Sequence, residues 1–333
     1  MKRKTIRLAA MAISAVFATV LMAGCGSGSP TASTSSSSCA GEKQYYIIFA
    51  THAFPHPFFK PMQQGATDGA AAACMKVKWT ESPSTYDFND TVNRMNAAIA
   101  EKPDVLVVSL ANAQAADASC KAALAAGIVV IDVNVADSRP AGQRCGYISY
   151  VGITNEYNTG VAAALEVLKV RKPKLAVVGN NFPGDPGLTP RVKGWEDTMA
   201  AAGVPTAELD VQKNTQQVID TYITAHPDMD ALYTLSNAVN GAASARVAIA
   251  NHNLTGKIML VCTDYDMATL QAIKSGGMVA AIDQQQYLQG YLPSILARTY
   301  FRTGEVPSEV STGPGVINAS NVDHAIASFG SYR

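Results

Sequence analysis

Short apolar runs alternate with segments whose apolar residues return every three or four positions, and this alternation carries through most of the chain. "YYIIFA" (45–50) is apolar throughout and rich in β-formers, which predicts a strand buried on both faces. A helix is predicted from about Phe59 to Ala73, with Ala and Gly on the face that presses a sheet. "VKW" (77–79) predicts a short strand, and Phe88, Val92, Met95 and Ile99 keep helical spacing. Strands follow at "DVLVVSL" (104–110), "IVVID" (128–132) and "YISYVG" (147–152). An Ala-rich helix lies between the first two, and Gly127 ends it in the manner of a C-cap glycine.

The rhythm then restarts. Tyr157, Val161, Leu165 and Leu168 predict a helix, and "KLAVVGN" (174–180) a strand. Val192, Trp195 and Met199 line a helix that Gly203 closes. Further strands are expected at "AELDVQ" (207–212), "ALYTLSN" (231–237), "KIMLVCTD" (257–264) and "MVAAIDQ" (278–284), with helices between them. A long helix is expected from about Tyr287 to Phe301. Runs of βαβα at this spacing predict an α/β fold with parallel sheets covered by helices on both faces, and two successive runs predict two such lobes.

In open parallel sheets the ligand site lies beyond the carboxyl ends of the strands. The first strand leads to His56, Phe58 and Phe59, and "IDVN" delivers Asp132 and Asn134. In the second run, "VVGNN" supplies Asn180 and Asn181, and the loop after it brings Arg191. "YTLSN" supplies Ser236 and Asn237, "VCTD" supplies Asp264, and "AIDQQ" supplies Asp283 and Gln284. Carboxylates, amides and one guanidinium can each bridge neighbouring hydroxyls, and aromatic faces pack against C–H surface. That mixture suits a small polyhydroxylated ligand. Polar residues after strands also serve as ordinary turn and N-cap residues, and one ring of the Phe58–Phe59 pair can serve simply as core.

The totals fit a globular binder. Of 333 residues, 48% are hydrophobic and 16% charged, enough for a large core, and the formal net charge of +0 argues against nucleic acid as a partner. The beginning of the chain belongs outside the fold. "MKRKTIR" is a basic segment and "LAAMAISAVFATVLMA" an apolar one too short for an ordinary spanning helix. "LMAGC" then resembles the bacterial lipobox, which implies a signal peptide over 1–24 and lipidation of Cys25, with Met22 where leucine is usual. "GSGSPTASTSSSS" reads as a flexible tether, so residues 25–42 link the lipid to the globule. Export permits disulfides. Cys39 with Cys74 and Cys120 with Cys145 are the local pairings, and Cys262 in an apolar strand reads as a buried free thiol. No zinc spacing is present among the cysteines, and neither a metal nor a cofactor is expected.

"PHPFFKPMQQGATDGA", "AAGIVVIDVN", "RVKGW", "AHPDMDALYTLSNAVNGAA" and "CTDYDMATLQAIKSGGMVAAIDQQQYLQGY" together resemble the ribose-binding-protein branch of the periplasmic binding proteins, the solute receptors of sugar ABC transporters. The resemblance runs from about 43 to 320. It implies the type I fold, two Rossmann-like lobes joined by three crossing segments near 151–154, 284–287 and 308–312. It places an N-terminal lobe at 43–152 plus 286–309 and a C-terminal lobe at 153–285 plus 310–333. It implies a sugar or polyol as ligand, an ABC permease as partner, attachment to a bacterial membrane through the N-terminal lipid, and a monomer. Its site residues map onto Phe58, Phe59, Asp132, Arg191, Asp264 and Gln284. His56 stands where the family has Asn, Val133 where it has Arg, and Ser236-Asn237 where ribose binders have Asn-Asp. These departures make another pentose, a hexose or a polyol at least as good a candidate as ribose. A ligand-presenting receptor for a membrane sensor, or a binder of a furanone or nucleoside, uses the same shape. An enzyme is disfavoured: no strand end joins nucleophile, base and orienting group, and neither GxGxxG after the first strand nor a P-loop occurs.

Overall fold

The computed structural model describes residues 39–83, 87–185, 187–236 and 241–333. The first run of elements is β1 (Tyr45–Ala50), α1 (Phe59–Ala72), β2 (Met75–Thr80), α2 (Phe88–Ala100), β3 (Val105–Val108), α3 (Ala113–Ala125), β4 (Val129–Asn134) and β5 (Tyr150–Gly152). The second is α4 (Tyr157–Val170), β6 (Leu175–Asn180), α5 (Leu188–Ala201), β7 (Thr206–Asp210), α6 (Thr215–Ala225), β8 (Met229–Thr234), α7 (Gly241–Asn251), β9 (Met259–Thr263), α8 (Met267–Lys274) and β10 (Ala280–Asp283). The chain finishes with α9 (Gln286–Thr303), β11 (Val310–Ser311), β12 (Gly315–Asn318) and α10 (Val322–Ser328).

Two six-stranded sheets result, ordered β11-β5-β4-β3-β1-β2 and β12-β10-β9-β8-β6-β7. Every strand pair is parallel except β10 with β12, which is antiparallel. That exception departs from the all-parallel expectation. An edge strand needs only one partner, so a short return segment can close a parallel sheet this way. β11, β12 and α10 carry too little periodic apolar sequence to announce themselves.

Successive side chains of a strand leave opposite faces of its sheet, and each face here meets its own layer of helices. In the first sheet Ile48, Ala50, Leu106, Val108 and Val130 join Met95, Ala98, Ala116 and Cys120 of α2 and α3. Ile47, Phe49, Val105, Val107, Ile131 and Val133 join Ala66, Ala70 and Ala297 of α1 and α9 on the other face. The second sheet is layered in the same manner, with the rings of Trp195 and Tyr233 packed at a tilt, centroids 5.3 Å apart, in one of its two cores. Two helix pairs approach to backbone contact. A Cβ at Gly65 or Gly290 would overlap the main chain of the facing helix where α1 meets α9, and one at Gly160 or Gly194 would do so where α4 meets α5.

Cys120 of α3 is disulfide-linked to Cys145. Cys145 lies in the loop before β5, which begins at Tyr150, three residues later than the run 147–152 predicts. Cys39 and Cys74 are each disulfide-bonded as well, and Cys262 is free and buried in β9. Among the described residues, no helix is long and apolar enough to cross a membrane. Cys25 lies outside the described residues.

Candidate functional site

Strand order reverses between β1 and β3 in the first sheet and between β6 and β8 in the second. Helices leave opposite faces at such points and open a crevice at the carboxyl ends of the strands. The chain passes between the sheets after β5, after β10 and after β11, so all three passages join the carboxyl-end regions of parallel strands or lie beside them.

In the first lobe the loop after β1 divides its aromatic rings between two tasks. Phe59 is 5% exposed and packs with Ala53 and Met62. Phe58, Phe54 and His52 each meet it edge to face, with centroids at 5.0, 5.4 and 5.2 Å. Phe58 is only partly buried. A clamped inner ring therefore holds an outer ring at the strand ends. His56 accepts a hydrogen bond at Nδ1 from the Phe58 amide at 3.2 Å, which fixes the loop that presents the outer ring. Phe54 and Trp79, which sequence reasoning passed over, complete this aromatic patch.

Asp132 is fully buried at the end of β4. Its Oδ1 accepts from the Leu110 amide and its Oδ2 from the Asp137 amide, at 3.2 and 3.1 Å. Burial pushes its carboxyl well above the usual carboxylate range, against the pull of those amides. The carboxyl group thus ties the ends of β3 and β4 together. Val133 points into the core under α9 and brings no cation to the site. The guanidinium nearest in sequence, Arg139, is held by Asp137 and Asp117.

In the second lobe Arg191 sits in the first turn of α5 and is 5% exposed. Its Nε donates to Glu156 Oε2 at 2.7 Å, and its Nη1 donates to the Leu235 carbonyl at the end of β8 at 3.0 Å. Burial works against the charge, but Glu156 outweighs it and the guanidinium pKa rises. Glu156 was missed at the level of sequence. It precedes α4 by one residue and only the tertiary structure brings it to Arg191. Asp264 follows β9 with φ of +61°, a left-handed conformation that side-chain-bearing residues seldom adopt. Its Oδ1 accepts from Gln284 Nε2 at 2.8 Å and from Gln286 Nε2 at 3.4 Å. Burial pushes the Asp264 carboxyl up to about 6, although Arg191 and the Gln284 amide both draw it down. Asn237 lies outside the described residues, while Ser236 beside it is buried.

Asn134 ties the two strand-end sets together. It adopts φ of +65°, and its Nδ2 donates to Gln289 Oε1 at 2.9 Å. Gln289, fully buried in α9, donates from Nε2 to the Gln284 carbonyl at 2.9 Å and to Thr312 Oγ1 at 3.1 Å. Thr312 Oγ1 also donates to the Gln284 carbonyl, and Gln284 donates to Asp264. One hydrogen-bonded chain therefore runs from β4 through two of the crossing segments to β9. Gln289 is a further residue that sequence reasoning missed. Its full burial is a tertiary property, although "QQQYLQGY" marked an unusually amide-rich helix start.

The periplasmic binding protein domain family matches residues 47–305. The chain belongs to this family. The α/β lobes, with their mostly parallel sheets, have its type I fold. A xylose/arabinose-binding protein of Sulfolobus acidocaldarius is 28% identical over 291 residues, spanning 83% of this chain and 71% of the relative. The solved structure of a periplasmic ribose ABC transporter protein from Conexibacter woesei superposes with a TM-score of 0.75 at 23% identity, covering 85% of this chain and 95% of the other. A periplasmic solute-binding protein of an ABC transporter from Actinobacillus succinogenes, solved with bound D-allose, gives a TM-score of 0.75 at 21% identity and covers 85% of this chain and all of that one (100%).

Proposed function

We propose that this binding protein is the extracytoplasmic receptor of a sugar ABC importer, capturing a monosaccharide or polyol between its lobes by hinge closure and presenting it to the permease. The observation that carries this reading is the second-lobe edge. A donor-only guanidinium, Arg191, and an acceptor, Asp264, are both buried and held by Glu156, Leu235 and Gln284. A ring with adjacent hydroxyls offers each of them a complementary partner. Phe58 would supply the apolar face from the other lobe, with Phe59 clamping it. Asp132 and Asn134 would act mainly by holding their strand ends and the hinge, and Asn237 and His56 would complete the rim. The lobes of this reading are 43–152 plus 286–309 and 153–285 plus 310–333. Lipidated Cys25 would anchor a monomer to the outer face of a bacterial membrane, with residues 26–42 as tether. No catalytic role is assigned.

A ligand that binds only the folded, closed protein stabilises it by mass action, about 3–4 kcal/mol at 100 to 1,000 times Kd. Thermal melts and calorimetry with D-xylose, L-arabinose, D-ribose, D-allose and myo-inositol are expected to single out one or two of them. If none shifts the melting temperature while a nucleoside or furanone does, the sugar reading fails. Cys25→Ser is expected to release the protein from membranes, and undiminished retention on fractionation would remove the lipid anchor from the proposal.

A further inference from the structure

We infer that Asn181 is a ligand-reading residue of the second lobe, its primary amide hydrogen-bonding a pair of neighbouring hydroxyls on the captured ring; this rests on the solute-binding reading above. Asn181 directly follows β6, at the point where the strand order of the second sheet reverses. The sheet itself sets its position. The Leu235 amide donates to the Gly179 carbonyl at 3.4 Å, and the Leu235 carbonyl accepts from Arg191 Nη1. Asn181 lies two residues beyond Gly179 and Ser236 one beyond Leu235, so both stand with Arg191 at the carboxyl edge of the adjacent strands β6 and β8.

The neighbours of Asn181 are already engaged. Asn180 donates to Glu208 Oε1 at 2.7 Å and accepts from the Phe182 amide at 3.0 Å. Arg191, Asp264 and Gln284 hold the protein partners described above. Asn181 is 2% exposed, yet among the described residues neither its Oδ1 nor its Nδ2 has a hydrogen-bond partner. A buried amide left without partners is costly, and an apolar side chain of its size would avoid the cost. A primary amide also does what its neighbours cannot. Arg191 only donates and ionised Asp264 only accepts, whereas Asn181 presents one acceptor and one donor side by side. That pairing matches two adjacent ring hydroxyls, one giving its proton and the other receiving one. Asn181 is then a specificity-determining residue that prefers a vicinal diol over a deoxy sugar.

A purely structural role and a ligand-reading role predict opposite signs. Asn181→Leu in the full-length protein, melted without sugar, is expected to hold or raise the melting temperature, because the unpartnered amide is gone. Calorimetric titration with whichever of D-xylose, L-arabinose, D-ribose, D-allose or myo-inositol binds the wild type most tightly is expected to show Kd raised about 10- to 100-fold. Asn181→Ala should raise Kd similarly and guards against a leucine that cannot be accommodated. If both variants melt well below wild type, the amide serves folding and the inference is overturned. It is equally overturned, alone, if wild type binds a sugar and both variants bind it undiminished. Wild type that binds none of the five would sink the receptor reading itself, and this inference with it.

Discussion

In the proposed site Arg191 and Asp264 are ordinary charged side chains, both buried at the edge of the second sheet, that would serve as a recognition pair for the sugar. Each is held by protein groups that leave part of its hydrogen-bonding capacity unused: two of five guanidinium N–H groups at most are committed by the bonds to Glu156 and Leu235. Truncation of either residue is expected to weaken sugar binding by about 2–4 kcal/mol, some 30- to 1,000-fold in Kd. Glu156→Gln removes the orienting charge but keeps an acceptor, so a smaller loss of about tenfold is expected. Titration beside a surface control, Lys169→Ala, measures both, and equal affinities would remove this edge from the site. Asp264 also makes a pH prediction. Its folded pKa of about 6 lies above the unfolded value of about 4, so the folded state binds more protons between them. Its stabilising contribution is fully present below about pH 4 and is lost as pH rises through 6. Ligand hydroxyls donate to the ionised form, so binding runs the opposite way. Affinity is expected to rise about tenfold from pH 5 to pH 7, with proton release on binding. Calorimetry in buffers of different ionisation enthalpy checks it, and Asp264→Asn should flatten the profile.

The helix pair α1 and α9 is built on glycine because the two main chains nearly touch. At Gly290 a Cβ would overlap the Met62 carbonyl, and at Gly65 it would overlap the Tyr287 carbonyl. Backbone cannot step aside as a flexible side chain can, so the helices must part. Gly290→Ala is expected to cost about 1–3 kcal/mol in denaturant unfolding, although alanine is the better helix former by about 1 kcal/mol. Unchanged or increased stability would mean that the helices separate freely. Sequence reading anticipated the small-residue face of α1 and the bounds of β1 and β6 closely. It overextended β3, which pairs only over Val105–Val108, and shortened β2, which runs Met75–Thr80. The pairing register beside β1 decides both, and local pattern carries no information about it.

Over the whole molecule, Gln289 is a buried amide that bonds the first sheet to two of the crossing segments. It touches Asn134, Gln284 and Thr312, one from the first sheet and two from crossing segments. Gln289→Leu leaves the Asn134 amide buried without its partner. It is expected to destabilise the fold by about 1–3 kcal/mol and to change sugar affinity without removing any contact to the sugar. Small-angle scattering with and without ligand separates these effects. A changed radius of gyration for the unliganded variant, with the liganded value preserved, supports a shifted open–closed equilibrium. Identical scattering and identical affinity would confine Gln289 to a packing role.

The order of apolar runs by itself determined two α/β lobes, because a strand buried on both faces and a helix packed on one leave different periodicities. It also determined which residues stand at the strand ends, since a side chain's place past a strand follows from the strand's length. What those side chains do was decided in three dimensions. Asp132 and Asn180, alike as strand-end polar residues, turn to backbone amides and to Glu208, whereas Asn181, one position on, is buried with no partner among the described residues. Glu156 and Arg191 lie 35 positions apart, and Asn134 and Gln289 lie 155 apart. Such pairs exist only after helices dock and the chain crosses between sheets, so no local pattern could record them.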